Sequence, residues 1–375
     1  MTRAEIRVGL VGLAIATAIV AGLLVAHGGD ITALVAFGEA SPEITAHAED
    51  VLDRSVATRV DLGHDGRFFF LQSLDPLDLE PEEHAALLDR PVYRGQRMLY
   101  PMLAGAGGVA PAALVPWTMV LVNLAALAFG TLGTAALARR LGGSEWWGLA
   151  FVLNLGMIFE FDIGGAGIVA FAAAIWGTLA LENGRVRAAA AWFVAAVLAR
   201  EVMLLYVGGI CLLRLVRTRR IPWSLGGLPA LAVGIWAVYL RLRLDEGSGA
   251  DEVQEIGLPF AGMWDAVPDW VEEPFHLVVI GALIAMMVVL VVRAVRYPCY
   301  LGWGSIGFVL LGTLLTRQVW WRFFDISRAL APIITAYVIV SFVVARRLDD
   351  GSGSSDVGEG PVGVDESSPG QVGLR

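Results

Sequence analysis

The chain opens with Arg3 and Arg7, then runs apolar from Val8 to Ala26 before polar positions dominate from residue 28 to 110. Apolar segments then recur at 114–138, 146–160, 164–182, 187–200, 202–216, 224–242, 276–294, 301–316 and 327–345. Several approach the roughly 20 residues that an α-helix needs to cross a bilayer core. With the first run they make ten, which predicts an all-α polytopic bundle over residues 1–347. Its first outer loop, 28–110, is expected to carry short amphipathic helices. The central segments are short for full spans at about 1.5 Å per residue. Charges sit between them, Glu160 and Asp162 in one gap and Arg200 and Glu201 in another. Paired half-deep helices meeting beneath an outer cavity fit that spacing better than one long helix over 187–216.

Composition agrees with membrane embedding. Hydrophobic residues make up 57% and charged residues 17%, against about 45–50% and 25% in a typical soluble domain. The first apolar run exceeds the 7–15 residues of a signal-peptide core, so it reads as a retained span. All 27 basic residues are Arg. Arg3/Arg7, Arg139/Arg140, Arg185/Arg187, Arg214 to Arg220, Arg293/Arg296 and Arg346/Arg347 fall on one face, which the positive-inside rule makes cytoplasmic. Both termini then lie inside, and loops 28–100 and 244–275 lie outside; Arg241 and Arg243 depart from the rule. The net charge of −9 argues against nucleic acid, which needs a basic footprint. Cys211 and Cys299 alone build no disulfide framework. Residues 348–375 are rich in Gly, Ser, Asp and Glu without apolar periodicity, and read as a disordered acidic cytoplasmic tail.

The stretch Asp61 to Leu77 carries the most chemistry. Asp65-Gly66 marks a helix start, and Phe68, Leu71 and Leu74 would dip that helix into the interface. Asp65 would either cap the helix or present its carboxylate at headgroup depth. Arg94 and Arg97, spaced i, i+3, sit before an apolar segment on the outer side, where Arg is disfavoured. Their partner is either a loop acid such as Asp89 or a phosphate, which Arg grips bidentately. The same anomaly recurs at Arg200-Glu201 and along Arg317 to Arg328, which includes Arg322 and Asp325. Ionisable groups at membrane depth are costly and usually face a cavity or a partner. Trp320, Trp321, Phe323 and Phe324 read as an interfacial aromatic belt. Gly164-Gly165-Ala166-Gly167 opens a membrane segment rather than following a strand, so it is no nucleotide loop. The five histidines lack metal-ligand spacing. Asp61 and Asp65 would share a divalent ion only if both were helical, and Gly63 between them weakens that geometry.

The pairing of His64-Asp65-Gly66-Arg67-Phe68-Phe69 with Arg97-Met98-Leu99-Tyr100-Pro101 resembles the signatures of the GT-C superfamily of membrane glycosyltransferases, in the branch similar to GPI mannosyltransferases and to bacterial proteins of cell-surface glycopolymer formation. His64 stands where that branch often has Trp, and the first outer loop lacks a clear D-x-D or E-x-D. The resemblance implies a cell-membrane transferase with its site on the extracytoplasmic side. It would move a sugar, with inversion, from a polyprenyl-phosphate donor to a glycan or lipid acceptor of the envelope. It makes Asp65 the general base and Arg94, Arg97, Arg200 and Arg328 the phosphate ligands. Asp61, His64, Tyr100, Asp162, Glu201, Arg322 and Asp325 would support them, with a divalent metal as an optional cofactor. A flippase of lipid-linked precursors and a non-catalytic scaffold are the competing expectations.

Overall fold

The computed structural model describes residues 1–78, 80, 82–220, 222–244 and 256–345. Most of loop 244–275's acidic first half and the expected tail at 348–375 therefore lie outside the described residues. Helix α1 (Arg3–Ala26) starts at a capping box in which the Thr2 hydroxyl accepts from Glu5 N–H and the Glu5 carboxylate accepts from Thr2 N–H. The long loop follows. It holds β1 (Phe37–Gly38), α2 (Pro42–Leu52), and β2 (Thr58–Arg59) paired in parallel with β1. It ends with α3 (Asp65–Leu74), α4 (Pro91–Gly95) and α5 (Leu99–Ala104). The described residues that follow are mostly helical: α6 (Val115–Arg140), α7 (Leu149–Val152), α8 (Leu155–Asp162), α9 (Gly167–Glu182), α10 (Val186–Ala199), α11 (Met203–Thr218) and α12 (Trp223–Arg243). After the undescribed segment come α13 (Ala261–Asp265), α14 (Val267–Glu272), α15 (Pro274–Arg296), α16 (Tyr300–Leu314), α17 (Arg317–Trp320), α18 (Phe323–Ala329) and α19 (Ala331–Ile339).

Among the described residues, four helices are long and apolar enough to cross a bilayer: α1, α6 with its lead-in from Ala112, α12 and α15. A fifth arises if α18 and the helix from Ala331 to Val344, bent by 65°, count as one span. The molecule is thus an all-α chain compatible with membrane embedding. The other expected segments are shorter helices, and 146–160 is divided between α7 and α8 by a break at Leu153 and Asn154. Arg200 has extended backbone (φ −157°, ψ 115°), so 187–216 forms two helices rather than one.

Small residues set the close packing. On α1, Gly12 faces the Thr131 side chain of α6 and Gly9 faces Leu132, leaving no room for a Cβ at Gly12. Such contacts let membrane helices approach closely. The arginine-bearing helix ends cluster physically: Arg139 at the end of α6 pairs with Glu5 at 3.4 Å, and Arg140 donates to the Glu182 carbonyl at the end of α9. At the opposite ends of these helices the long loop after α1 is docked, partly by α12. Trp236 Nε1 donates to the Gly95 carbonyl at 2.8 Å and the Arg243 guanidinium donates to the Asp78 carbonyl at 2.8 and 3.1 Å.

Asp78 itself sits buried with left-handed backbone (φ 50°). Burial and the neighbouring Asp75 push its carboxyl up to about 6, against a downward pull from Arg243. A raised folded-state value favours the protonated form. The penalty is therefore absent below the unfolded value near pH 4, grows as pH rises, and is complete above about pH 6. Asp78→Asn removes the penalty and keeps a residue type that tolerates this backbone. In detergent the variant should melt like wild type near pH 4 and be about 3 kcal/mol more stable at pH 7.5, at 1.36 kcal/mol per pKa unit. Equal melting at pH 7.5 would show that Asp78 is ionised there at no cost.

Candidate active site at the outer-loop cavity

The position of Asp65 is fixed by backbone on either side of it. His64 N–H donates to the Ala36 carbonyl at 3.0 Å, and Gly66 N–H donates to the Ile163 carbonyl at 3.1 Å. A Cβ at Gly66 would collide with the carbonyls of both Ile163 and Val35. Glycine at 66 thus lets the start of α3 wedge between the outer loop and the α8–α9 turn. The sequence expectation for α3 needs correction here. Phe68, Phe69, Phe70 and Leu71 are all buried in protein, as are the polar Arg67, Gln72 and Ser73, so α3 is enclosed on all sides and does not lie amphipathically in an interface. Asp65 makes no capping bond either.

Its carboxylate instead meets three arginines. Arg94 Nη1 approaches Oδ1 at 2.8 Å, while Arg97 Nη1 at 3.2 Å and Arg328 Nη1 at 3.5 Å approach Oδ2. Each guanidinium also has a second acid of its own. Arg94 donates bidentately to Asp89, both bonds at 2.8 Å, and its plane lies 4.2 Å from the Phe68 ring centroid. Arg97 donates to Glu201 at 3.2 and 3.3 Å and to the Tyr93 hydroxyl at 3.0 Å. Arg328 donates to Asp325 at 3.3 Å. Of the two partners the sequence offered Arg94, a loop acid or a phosphate, the loop acid Asp89 is engaged, and Asp65 is a further one that the sequence did not offer. Burial alone would raise the Asp65 carboxyl, but Arg97, Arg94, Arg328 and Arg200 outweigh it and hold it well below the usual carboxylate range.

These groups line one cavity of about 730 Å³. Asp65, Arg90, Arg94, Arg97, Arg200, Glu201, Asp325 and Arg328 contribute to its wall, five arginines against three carboxylates. Val202, Ile256, Leu311, Leu315 and Val319 supply an apolar side. The cavity is amphipathic, and its polar wall is under-satisfied: Arg200 Nε and Arg328 Nε are buried without a hydrogen-bond partner among the described residues. Such orphaned donors cost free energy unless a ligand or rearrangement meets them.

Asp65, Arg94, Arg97, Arg200, Arg328, Glu201 and Asp325 thus come together as the sequence suggested. Other expected supporters do not line this cavity. Tyr100 is fully buried, accepting from Asn123 Nδ2 at 3.0 Å and donating to the Met119 carbonyl. Asp162 pairs with Arg59 at 3.1 Å and His27 at 3.2 Å, tying the end of α1 and β2 to α8. Arg322 is exposed over the Trp321 ring, 3.8 Å from its centroid. His64 packs by Phe324, and burial and then Arg328 hold its imidazole below the ordinary histidine value. Asp61 accepts from Gly63 N–H in a turn before α3, so the helical i, i+4 relation to Asp65 that a shared ion would need does not form. Of the aromatic-belt residues, Trp320 is buried with its indole N–H on the Gly312 carbonyl.

Sequence reasoning missed Glu160 as a partner. It is 2% exposed and holds Arg200 at 2.7 Å, 40 positions away. The run Gly164-Gly165-Ala166-Gly167 has its meaning here: a Cβ at Gly165 or Gly167 would overlap the Glu160 carboxylate. The signal available in sequence was an acid inside an apolar run followed by glycines that permit close approach. No family model matches the chain, and no match emerges among curated proteins or solved structures.

Proposed function

We propose that the cavity is the active site of a membrane glycosyltransferase that takes a polyprenyl-phosphate sugar as donor and an envelope glycan or lipid as acceptor on the extracytoplasmic face. One observation carries the reading: a single partly exposed carboxylate meets three guanidiniums at the wall of an amphipathic cavity. A phosphodiester headgroup suits the arginine wall, since Arg binds phosphate oxygens in charge-assisted pairs. The apolar wall suits an isoprenoid chain. In this reading the arginine-rich helix ends face the cytoplasm by the positive-inside rule, and the short helices complete a ten-segment topology of GT-C type.

The reaction follows from the placement. The acceptor oxygen attacks the anomeric carbon and loses its proton to the Asp65 carboxylate. The bond from that carbon to the phosphate oxygen breaks, and its electron pair leaves with the carrier phosphate. Arg94, Arg97, Arg200 and Arg328 stabilise the charge gathering there in a water-poor pocket. Inversion results from attack opposite the leaving group. The test supplies purified protein in nanodiscs with a radiolabelled polyprenyl-phosphate sugar and candidate acceptors. Label in the acceptor is the expected result. Movement of the labelled lipid across the bilayer without transfer would identify a flippase and remove the enzyme reading.

A further inference from the structure

We infer that Asp65 competes with the substrate's phosphate for the same three guanidiniums, and that the three arginines pass from the carboxylate to the leaving phosphate as the reaction proceeds. This inference rests on the proposed function. The geometry behind it is the two-tier pairing of the cluster. Arg94, Arg97 and Arg328 are each held by a private acid, Asp89, Glu201 and Asp325, and all three share Asp65. If the shared contacts break, every guanidinium keeps a tether within 3.3 Å. Phe68 under Arg94 and the Tyr93 hydroxyl on Arg97 add supports that involve no charge exchange. The contacts to Asp65 are therefore the exchangeable ones.

Charge conservation gives the exchange its purpose. A polyprenyl-phosphate sugar is a phosphodiester with one negative charge, and the departing monoester gains a second. Asp65 loses its charge when it takes the acceptor's proton. The number of negative charges facing the arginines stays constant while their location moves from carboxylate to phosphate. A carboxylate gripped by three guanidiniums is a poor base, and their departure restores its affinity for a proton at the moment one is delivered. Asp89, Glu201 and Asp325 are in this account positioning residues, since they act on the phosphate only through the arginines they hold.

Asp65→Asn imitates the neutral, proton-bearing side chain and leaves the private acids intact. The experiment measures binding of a short-chain prenyl monophosphate and, separately, of inorganic phosphate to full-length protein in nanodiscs at pH 8. Asp65→Asn and Asp65→Ser should each bind prenyl monophosphate at least about tenfold more tightly than wild type, a change of roughly 1.4 kcal/mol. Asp325→Asn and Glu201→Gln delete the same charge from the cavity wall but free an arginine's tether, so they should bind no tighter than wild type. Unchanged or weaker binding in both Asp65 variants overturns the exchange. Equal tightening in Asp325→Asn and Glu201→Gln overturns it too, because net charge alone would then suffice. Tightening for inorganic phosphate, with no prenyl monophosphate bound by any form, retains the exchange and removes the lipid-linked donor.

Discussion

Transfer by Asp65→Asn is expected to fall by about 10²–10⁴ in kcat, the range that loss of a positioned general base produces, without a rise in donor KM. The separation of the two constants is the informative part. A residue that merely shaped the pocket would disturb binding as well as turnover. Here the phosphate ligands remain tethered by Asp89, Glu201 and Asp325. The backbone on either side of residue 65 is fixed by its own bonds to Ala36 and Ile163. Melting should fall, because the ionised carboxylate held by the arginines stabilises the fold and Asn forfeits that contribution, so turnover is compared per mole of folded protein. The pH profile supplies a second check. Because the arginines hold Asp65 well below the usual carboxylate range, the free protein carries the ionised form throughout the mildly acidic region. The profile of kcat/KM, which reports the free enzyme, should therefore show no Asp65 limb between pH 8 and about pH 5. Transfer at wild-type rates in Asp65→Asn would take this carboxylate out of the chemistry.

The residues that proved easiest to find were those the membrane makes expensive. Arg94, Arg97, Arg200 and Arg328 stand out because an arginine on the outer side of an apolar segment needs a reason, and all four line the cavity. Asp65 was legible as an acid at a helix start, but its local sequence could not say whether it capped that helix. Only the arrival of Arg328 from 263 positions away decides against a purely local role. Closeness in sequence to the motif was no guide. Tyr100 lies within it and Asp61 four residues before Asp65, yet one is swallowed by the α5–α6 packing and the other holds a turn. Helix α3 misled because Phe68, Phe69 and Phe70 are consecutive. Such a run has no polar face and signals burial on all sides, which a reading built on every third position overlooked. The private acids were legible unevenly. Asp89 and Asp325 lie within five residues of the arginines they hold, whereas the pairing of Glu201 with Arg97, 104 positions away, depends on how α4 and α10 converge.

Replacing Arg200 by Ala should destabilise the protein by about 3–5 kcal/mol, the cost of leaving a buried charge without its partner. The asymmetry of the pair makes this expectation specific. The Glu160 side chain is 3% exposed and that of Arg200 15%, so the acid has no water to turn to, whereas the guanidinium reaches the cavity. Glu160→Gln should consequently cost less than Arg200→Ala, and its amide oxygen still accepts from Arg200 across the 2.7 Å contact. The glycines sharpen the case. Gly165 and Gly167 make room for the carboxylate by lacking a Cβ, and that room is too confined to offer water in place of the lost guanidinium. Removing both charges in Arg200→Ala/Glu160→Gln should recover part of the loss, with a coupling on the order of 1–3 kcal/mol. Melting in detergent reads all three variants on one scale. Should Arg200→Ala melt with wild type, Glu160 would have to be neutral or hydrated in place, and the pair could not be what holds the α10–α11 break against the α8–α9 turn.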